Sequence, residues 1–405
     1  MKKSMCSLGL ILALSVPDAE AVNREIRALF QPDPSQPSKN VFINKTPNSG
    51  YCASYPGECE QNNVFSIQLP VRFSSTRALY QGDVIPIKIP ANWRRLTVTN
   101  TETQETEIVE VRITGIGSNF FLSDSAANLV GVSDILLGHQ KLWTSSSWVY
   151  APAPCQYSGV GSYSPNSYRF FWKTPAEESC VKRTAYPIPS MYFETLDFAY
   201  ELRTPNPLGM SSGLYTGSIP YTLGSLGDFD LGPLMTPDDA NLTLDFVLDV
   251  QHTLKVEIPP GGNKVLLEPQ GGWRSWLEQG RKPVRLYRDQ TFNISASSRF
   301  TMKLECEHDL GFGSDCAIVD GGYGGSVATS VSLPDGLTDS AGQPVRRMPL
   351  SRHAPTSPFQ PGVYVDRKPG TLHFEMGERD THWLINNSKG RPYKGNVTVI
   401  WDSEV

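Results

Sequence analysis

Asn241-Leu242-Thr243-Leu244-Asp245-Phe246-Val247-Leu248-Asp249-Val250-Gln251 carries an apolar side chain at every even position. A period of two sends Leu242, Leu244, Phe246, Leu248 and Val250 to one face of an extended chain, and Thr243, Asp245 and Asp249 to the other. One face meets a core and the other meets water. The same period recurs outward from this stretch. It runs through Phe65, Ile67, Leu69, Val71 and Phe73, through Val327, Val331 and Leu333 with Thr329 between them, and through Val397, Val399 and Trp401. The 34 glycines and 32 prolines punctuate these runs. No segment offers a long amphipathic helix. The expectation is an all-β chain of short strands and frequent turns, arranged as β-sandwiches.

The first residues bound the compartment. Met1-Lys2-Lys3 is followed by an apolar run from Leu8 to Val16 and by Ala19-Glu20-Ala21. A basic start, a short apolar run and a small-x-small site read as a secretory signal peptide over 1–21, with the mature chain beginning near Val22. The run is too short for a bilayer anchor. Cys6 precedes it, too early for a lipoprotein cleavage site. Six cysteines follow the leader: Cys52, Cys59, Cys155, Cys180, Cys306 and Cys316. An even count in an exported chain implies disulfides, and proximity favours pairing each with its neighbour. No C-x-x-C pair occurs and the histidines are scattered, so neither zinc nor another cofactor is expected. The formal net charge of −5 disfavours a general nucleic-acid binder.

Pro205-Asn206-Pro207 interrupts the strand pattern, since neither proline extends a central strand or a helix. The expected division is an N-terminal domain over 22–204, a linker over 205–212 and a C-terminal domain over 213–405. Catalytic signatures are not expected. No G-x-S-x-G elbow, H-E-x-x-H helix, P-loop or G-x-G-x-x-G after a strand is expected. The carboxylate pairs Asp228/Asp230, Asp238/Asp239 and Glu177/Glu178 lie in Gly/Pro-rich segments and read as solvated turn residues, so the chain is read as not an enzyme.

Two segments carry a resemblance. Thr204 to Ser218, continuing through Ile219-Pro220-Tyr221 to Leu231-Gly232, resembles the interdomain segment of tip adhesins of alternate (class 5) chaperone–usher fimbriae. The ending Lys394-Gly395 to Val405 resembles a pilin-type terminal strand, although the penultimate residue is Glu404 and not an aromatic. The resemblance is best over about 200–405 and implies two tandem immunoglobulin-like β-sandwich domains, the C-terminal one lacking its last strand. It implies export through the periplasm to the fimbrial tip on the cell surface. Its implied partners are a periplasmic fimbrial chaperone, an outer-membrane usher and an adjacent major pilin subunit that donates the missing strand, together with a host glycan or surface receptor. Leu242, Phe246 and Val399 are expected to be left partly uncovered. Val22 to Pro37, broken by Pro32, Pro34 and Pro37, is expected to hold no long donor strand. That suits a tip subunit better than a shaft pilin; a secreted carbohydrate-active enzyme with a β-sandwich module is the other rival.

Residues 141–200 concentrate aromatic and basic side chains, the combination that stacks on sugar rings and clamps carboxylate or sulfate groups. From composition Trp148, Arg169 and Arg183 within this stretch, and Arg94 and Arg95 before it, are the candidate receptor contacts.

Overall fold

The computed structural model describes residues 22–157, 161–311, 313–387 and 390–403. The leader over 1–21 lies outside the described residues. Strands dominate, as the period of two requires, and they gather around two hydrophobic cores. No described helix is long and apolar enough to cross a membrane.

The first core draws its side chains from Ile26 through Val250. Most of its strands join one curled 14-stranded sheet, and Val84–Ile87 with Cys180–Arg183 add a separate two-stranded ladder to the same core. The organising element is the strand Thr106–Leu122, 17 residues long. Its first half pairs with Arg94–Asn100 and Leu196–Arg203, and its second half with Ser167–Lys173 and Met191–Phe193. Val109, Val111 and Ile113 are buried in the first half, but Ile116, Ser118, Phe120 and Leu122 in the second. The buried parity changes where the register against Ala199 and Tyr200 shifts. An extra residue in one strand flips every later side chain to the other face, and here it lets one strand serve two layers. Gly117 sits past that shift with no room for a side chain. A Cβ there would lie 2.5 Å from the Phe171 ring and from the Phe170 carbonyl.

The expected boundary moves. Gly213–Thr222 pairs along its whole length with Asn241–Val250 and also with Arg94–Asn100, inside the first sheet. Leu208, Met210, Tyr215 and Tyr221 belong to the first core. The Pro-Asn-Pro segment is therefore a turn within one unit, held by Asn206, whose side chain accepts from the Leu208 amide. The chain leaves the first core after Val250, and Leu254 already packs on the second. Prolines mark where a strand cannot run; they do not say whether a new core begins there. Leu242 and Phe246, expected to be uncovered, are each 1% exposed in that first core.

His252 sits at the crossing. Its ring meets Phe30 edge-on at 5.5 Å, Nε2 lies 2.9 Å from the Met210 carbonyl, and Nδ1 lies 3.1 Å from Ser297 Oγ in the second unit. Burial lowers its pKa from the ordinary histidine value.

In the second unit the strands 254–257, 286–296, 365–376, 323–332 and 316–320 form the larger sheet, with Met348–Pro349 beside 323–332. Phe300–Cys306 and the terminal strand Val397–Ser403 form a separate two-stranded sheet. Trp401 spans the gap, its ring 4.9 Å from Phe292 of the larger sheet and 5.8 Å from Phe300 of its own. The disulfide Cys306–Cys316 links strands of the two sheets. Cys52–Cys59 joins two short helices, and Cys155–Cys180 ties a loop to the strand Cys180–Arg183. All three pairs are those that proximity favoured.

Candidate functional site

Most of the aromatic, basic stretch 141–200 is core. Trp148, a candidate contact, is fully buried, stacked on Trp172 at 5.2 Å and edge-on to Trp143 at 5.2 Å. It cannot meet a receptor, because Phe120, Phe170 and Phe193 also pack around it. An indole removes more apolar surface from water than any other side chain here, so a sandwich spends it inside.

Lys182 is buried as well. The strand Cys180–Arg183 turns Cys180 and Lys182 inward and leaves Val181 and Arg183 outside, the reverse of what hydropathy suggests. Cys180 is bridged to Cys155 within the first core, which fixes that parity. The Lys182 ammonium donates to the carbonyls of Ser145, Ser146 and Ser147 at 3.4, 3.3 and 3.0 Å. Burial lowers its pKa to about 8. It braces a loop.

Arg169 is also turned to structural use. It donates at 2.6 Å to Asp197, whose side chain is wholly buried. Burial pushes the Asp197 carboxyl up to about 6, against the opposing pull of Arg169. Arg94 bonds Asp228 at 2.5 Å and stands over the Tyr221 ring at 5.0 Å. Arg183 is exposed and donates to the Gly82 carbonyl at 2.7 Å. It lies on a separate two-stranded ladder formed by Val84–Ile87 and Cys180–Arg183.

Of the five candidates, Arg95 alone opens onto a built surface. On the strand Thr106–Leu122 the inward Val109, Val111 and Ile113 leave Glu110 and Arg112 facing out. Register places Arg95 opposite Glu110, Glu110 opposite Arg203, and Arg112 opposite Glu201. Arg95 Nε meets Glu110 at 2.9 Å, Arg203 reaches the same carboxylate at 3.4 Å, and Arg112 meets Glu201 at 2.7 Å. Arg95 and then Arg203 hold Glu110 below the usual carboxylate range. Trp93, half-buried, lies beneath two guanidinium groups, Arg203 at 4.0 Å and Arg112 at 4.7 Å from its ring centre. The Arg95 side chain remains 77% exposed.

This face offers planar donors fixed by carboxylates and an indole. A guanidinium pinned on one edge keeps other N–H groups free for an incoming carboxylate or sulfate. Sequence reading missed Trp93, Arg112 and Arg203. Their meeting depends on strand register. Only outward parity on neighbouring strands could have hinted at it.

Of the carboxylate pairs, Asp230 and Asp239 cap local turns by accepting from the Gly232 and Asn241 amides. Asp228, held by Arg94 and the Thr222 amide, Asp238, accepting from the Arg72 amide, and Glu177, accepting from the Asn92 amide, instead tie separate parts of the chain together. Contrary to expectation the G-x-S-x-G spacing of a nucleophile elbow does occur, at Gly209-Met210-Ser211-Ser212-Gly213. It follows the turn Pro207–Gly209 and leads into a strand, so the strand-to-helix context that exposes a nucleophile is absent. Among the described residues no three His, Cys, Asp or Glu side chains gather to hold a metal.

No family model matches the chain, and no curated protein does either. Among solved structures it is similar to a chaperone–tip adhesin complex of CFA/I fimbriae, with 11% identity over 95% of this chain and 97% of that one and a TM-score of 0.24. It is similar to CfaE, the adhesive subunit of CFA/I fimbria of enterotoxigenic Escherichia coli, with 8% identity, 95% of both chains covered and a TM-score of 0.26. It is also similar to the CsuC–CsuE pre-assembly complex of Acinetobacter baumannii Csu pili, with 9% identity over 94% of this chain and 98% of that one and a TM-score of 0.20. Such low identities and TM-scores leave the chain's role to its own residues.

Proposed function

We propose that the chain is a fimbrial tip adhesin without catalytic activity, whose first unit binds a surface receptor, a glycan, and whose second unit joins the fimbria by accepting a strand. One observation carries this reading. Among the described residues the terminal strand Val397–Ser403 pairs along one edge only, with Phe300–Cys306, and its inward Val397, Val399 and Trp401 stay half-buried. An open edge above a half-covered core is a place for one more strand. A periplasmic chaperone fills it first, an usher exports the pair, and the adjacent major pilin replaces the chaperone strand.

The other end of the chain supports the tip position. Val22–Phe30 is a nine-residue strand, longer than the prolines suggested. It pairs in parallel with Asn241–Val250 and antiparallel with Ile43–Asn44, and buries Ile26, Ala28 and Phe30. A strand spent inside its own sheet is not available for donation to a neighbour. The glycan contact falls on Arg95, Trp93, Arg112 and Arg203, where anchored guanidinium groups and an indole suit an acidic sugar.

The test is unfolding of the mature chain with and without a synthetic peptide of the adjacent pilin's N-terminal extension. At a hundred times its Kd the peptide should raise the second unit's stability by about 2.7 kcal/mol and leave the first unit unchanged. A second unit that is stable and protease-resistant alone and indifferent to the peptide refutes strand acceptance.

A further inference from the structure

A second basic site lies in the connection between the strands Leu254–Glu257 and Leu286–Ala296. Gly271 and Gly272 both take φ of 77°, the short helix Arg274–Gln279 follows, and Gly280 closes it in the left-handed conformation. Turn, helix and returning chain enclose a cavity of about 220 Å³. Gln270, Ser275, Trp276, Arg281, Lys282 and Arg285 supply its polar and aromatic lining.

The charge there is unbalanced. Arg285 lies 3.4 Å from Glu375, a carboxylate also shared with Arg347 at 3.6 Å. Lys282 is bonded at 2.7 Å to Asn386, which is neutral. Arg281 has no carboxylate partner among the described residues. Three cations against one shared carboxylate leave a surplus of two, in a chain whose net charge is −5. The cavity is smaller than the ~300–1,000 Å³ of drug-sized sites, so it suits a single ring. Its half-buried Trp276 offers an apolar plane, Gln270 and Ser275 offer hydroxyl partners, and the arginines offer forks for an anion.

We infer that this pocket binds one anionic sugar residue, a pyranose bearing a carboxylate or a sulfate group. The site stands on the second unit and does not depend on the adhesin reading. It is tested by saturation-transfer NMR on the full mature chain, with methyl N-acetylneuraminide, methyl glucuronide, methyl glucoside and sodium sulfate as probes and competitors. The acidic glycosides should bind at least about tenfold more tightly than methyl glucoside, because a hydrogen bond to a charged group contributes ~1.5–3 kcal/mol. Arg281→Gln and Lys282→Gln, both at exposed positions, should each weaken them by about tenfold. Trp276→Ala should lose the glycosides, and on the wild type sodium sulfate should displace the acidic glycosides by competing for Arg281. Replacing Arg95, Arg112 and Arg203 together by Ala should remove only the first unit's share of the signal and leave the acidic glycosides bound at this pocket. The inference is overturned if neither acidic glycoside binds, or if methyl glucoside binds equally well. It is also overturned if Trp276→Ala keeps full glycoside affinity, or if the triple variant abolishes binding.

Discussion

The first described strand and the last are built from the same period of two, yet they end differently. Val22–Phe30 has partners on both edges and seats Ile26 and Phe30 at 1% exposure. Val397–Ser403 has one partner among the described residues, and none of its side chains is fully buried. The contrast teaches that alternation specifies a face and says nothing about how many neighbours the edges find. Backbone groups left unpaired along an edge remain a template for another chain.

The largest expected effect breaks the comparison at its seated end. Phe30→Ala should destabilise the first unit by about 3–5 kcal/mol in urea unfolding, the cost of emptying a packed aromatic site. Trp401→Ala, starting from a half-covered ring, should cost the second unit clearly less. Equal costs would mean that the terminal strand is as well seated as the first.

Next comes the staple between the layers of the open unit. Cys306→Ser with Cys316→Ser should remove about 2–3 kcal/mol from the second unit, and the first unit's transition should stay put. An unchanged second transition would show that its two sheets hold together without the bridge.

A smaller effect concerns the buried pair in the closed unit. The Asp197 carboxyl is raised to about 6 by burial. An acid with a raised folded pKa holds its proton longer when folded than when unfolded, so its contribution to stability falls as pH rises from about 4 to about 6 and is flat above. The stability difference between the wild type and Asp197→Asn, measured across that range, should fall accordingly. A flat difference would place Asp197 in a more polar setting than its burial implies.

The smallest effects on stability are at the surface. Arg95→Ala, Arg112→Ala and Arg203→Ala combined should abolish adhesion to receptor-bearing cells through the first unit while shifting stability by little, since exposed ion pairs contribute only ~0–1 kcal/mol each. Arg183→Ala gives the matching control on the separate ladder. If it weakens binding more than the triple variant, the receptor surface lies around Arg183.

The candidate site was only partly legible. Arg95 is found from composition alone. Trp148, Arg169 and Lys182 look like ligand contacts in the sequence, because a run of aromatic and basic residues has the same letters whether it faces sugar or core. Parity decides between those outcomes, and at Lys182 parity is set by the disulfide at Cys180.

By itself the sequence determined the β class, since a period of two admits no other regular structure. For the disulfides it favoured the partners by proximity, one of 15 possible pairings, and the structure holds that one. Tertiary structure alone decided that Gly213–Thr222 stays with the first core, that Arg95, Trp93, Arg112 and Arg203 share one face, and that the terminal strand has one paired neighbour among the described residues. Each of those depends on which strand lies beside which. Pairing joins residues as distant in the chain as Thr99 and Thr216, and no local pattern encodes it.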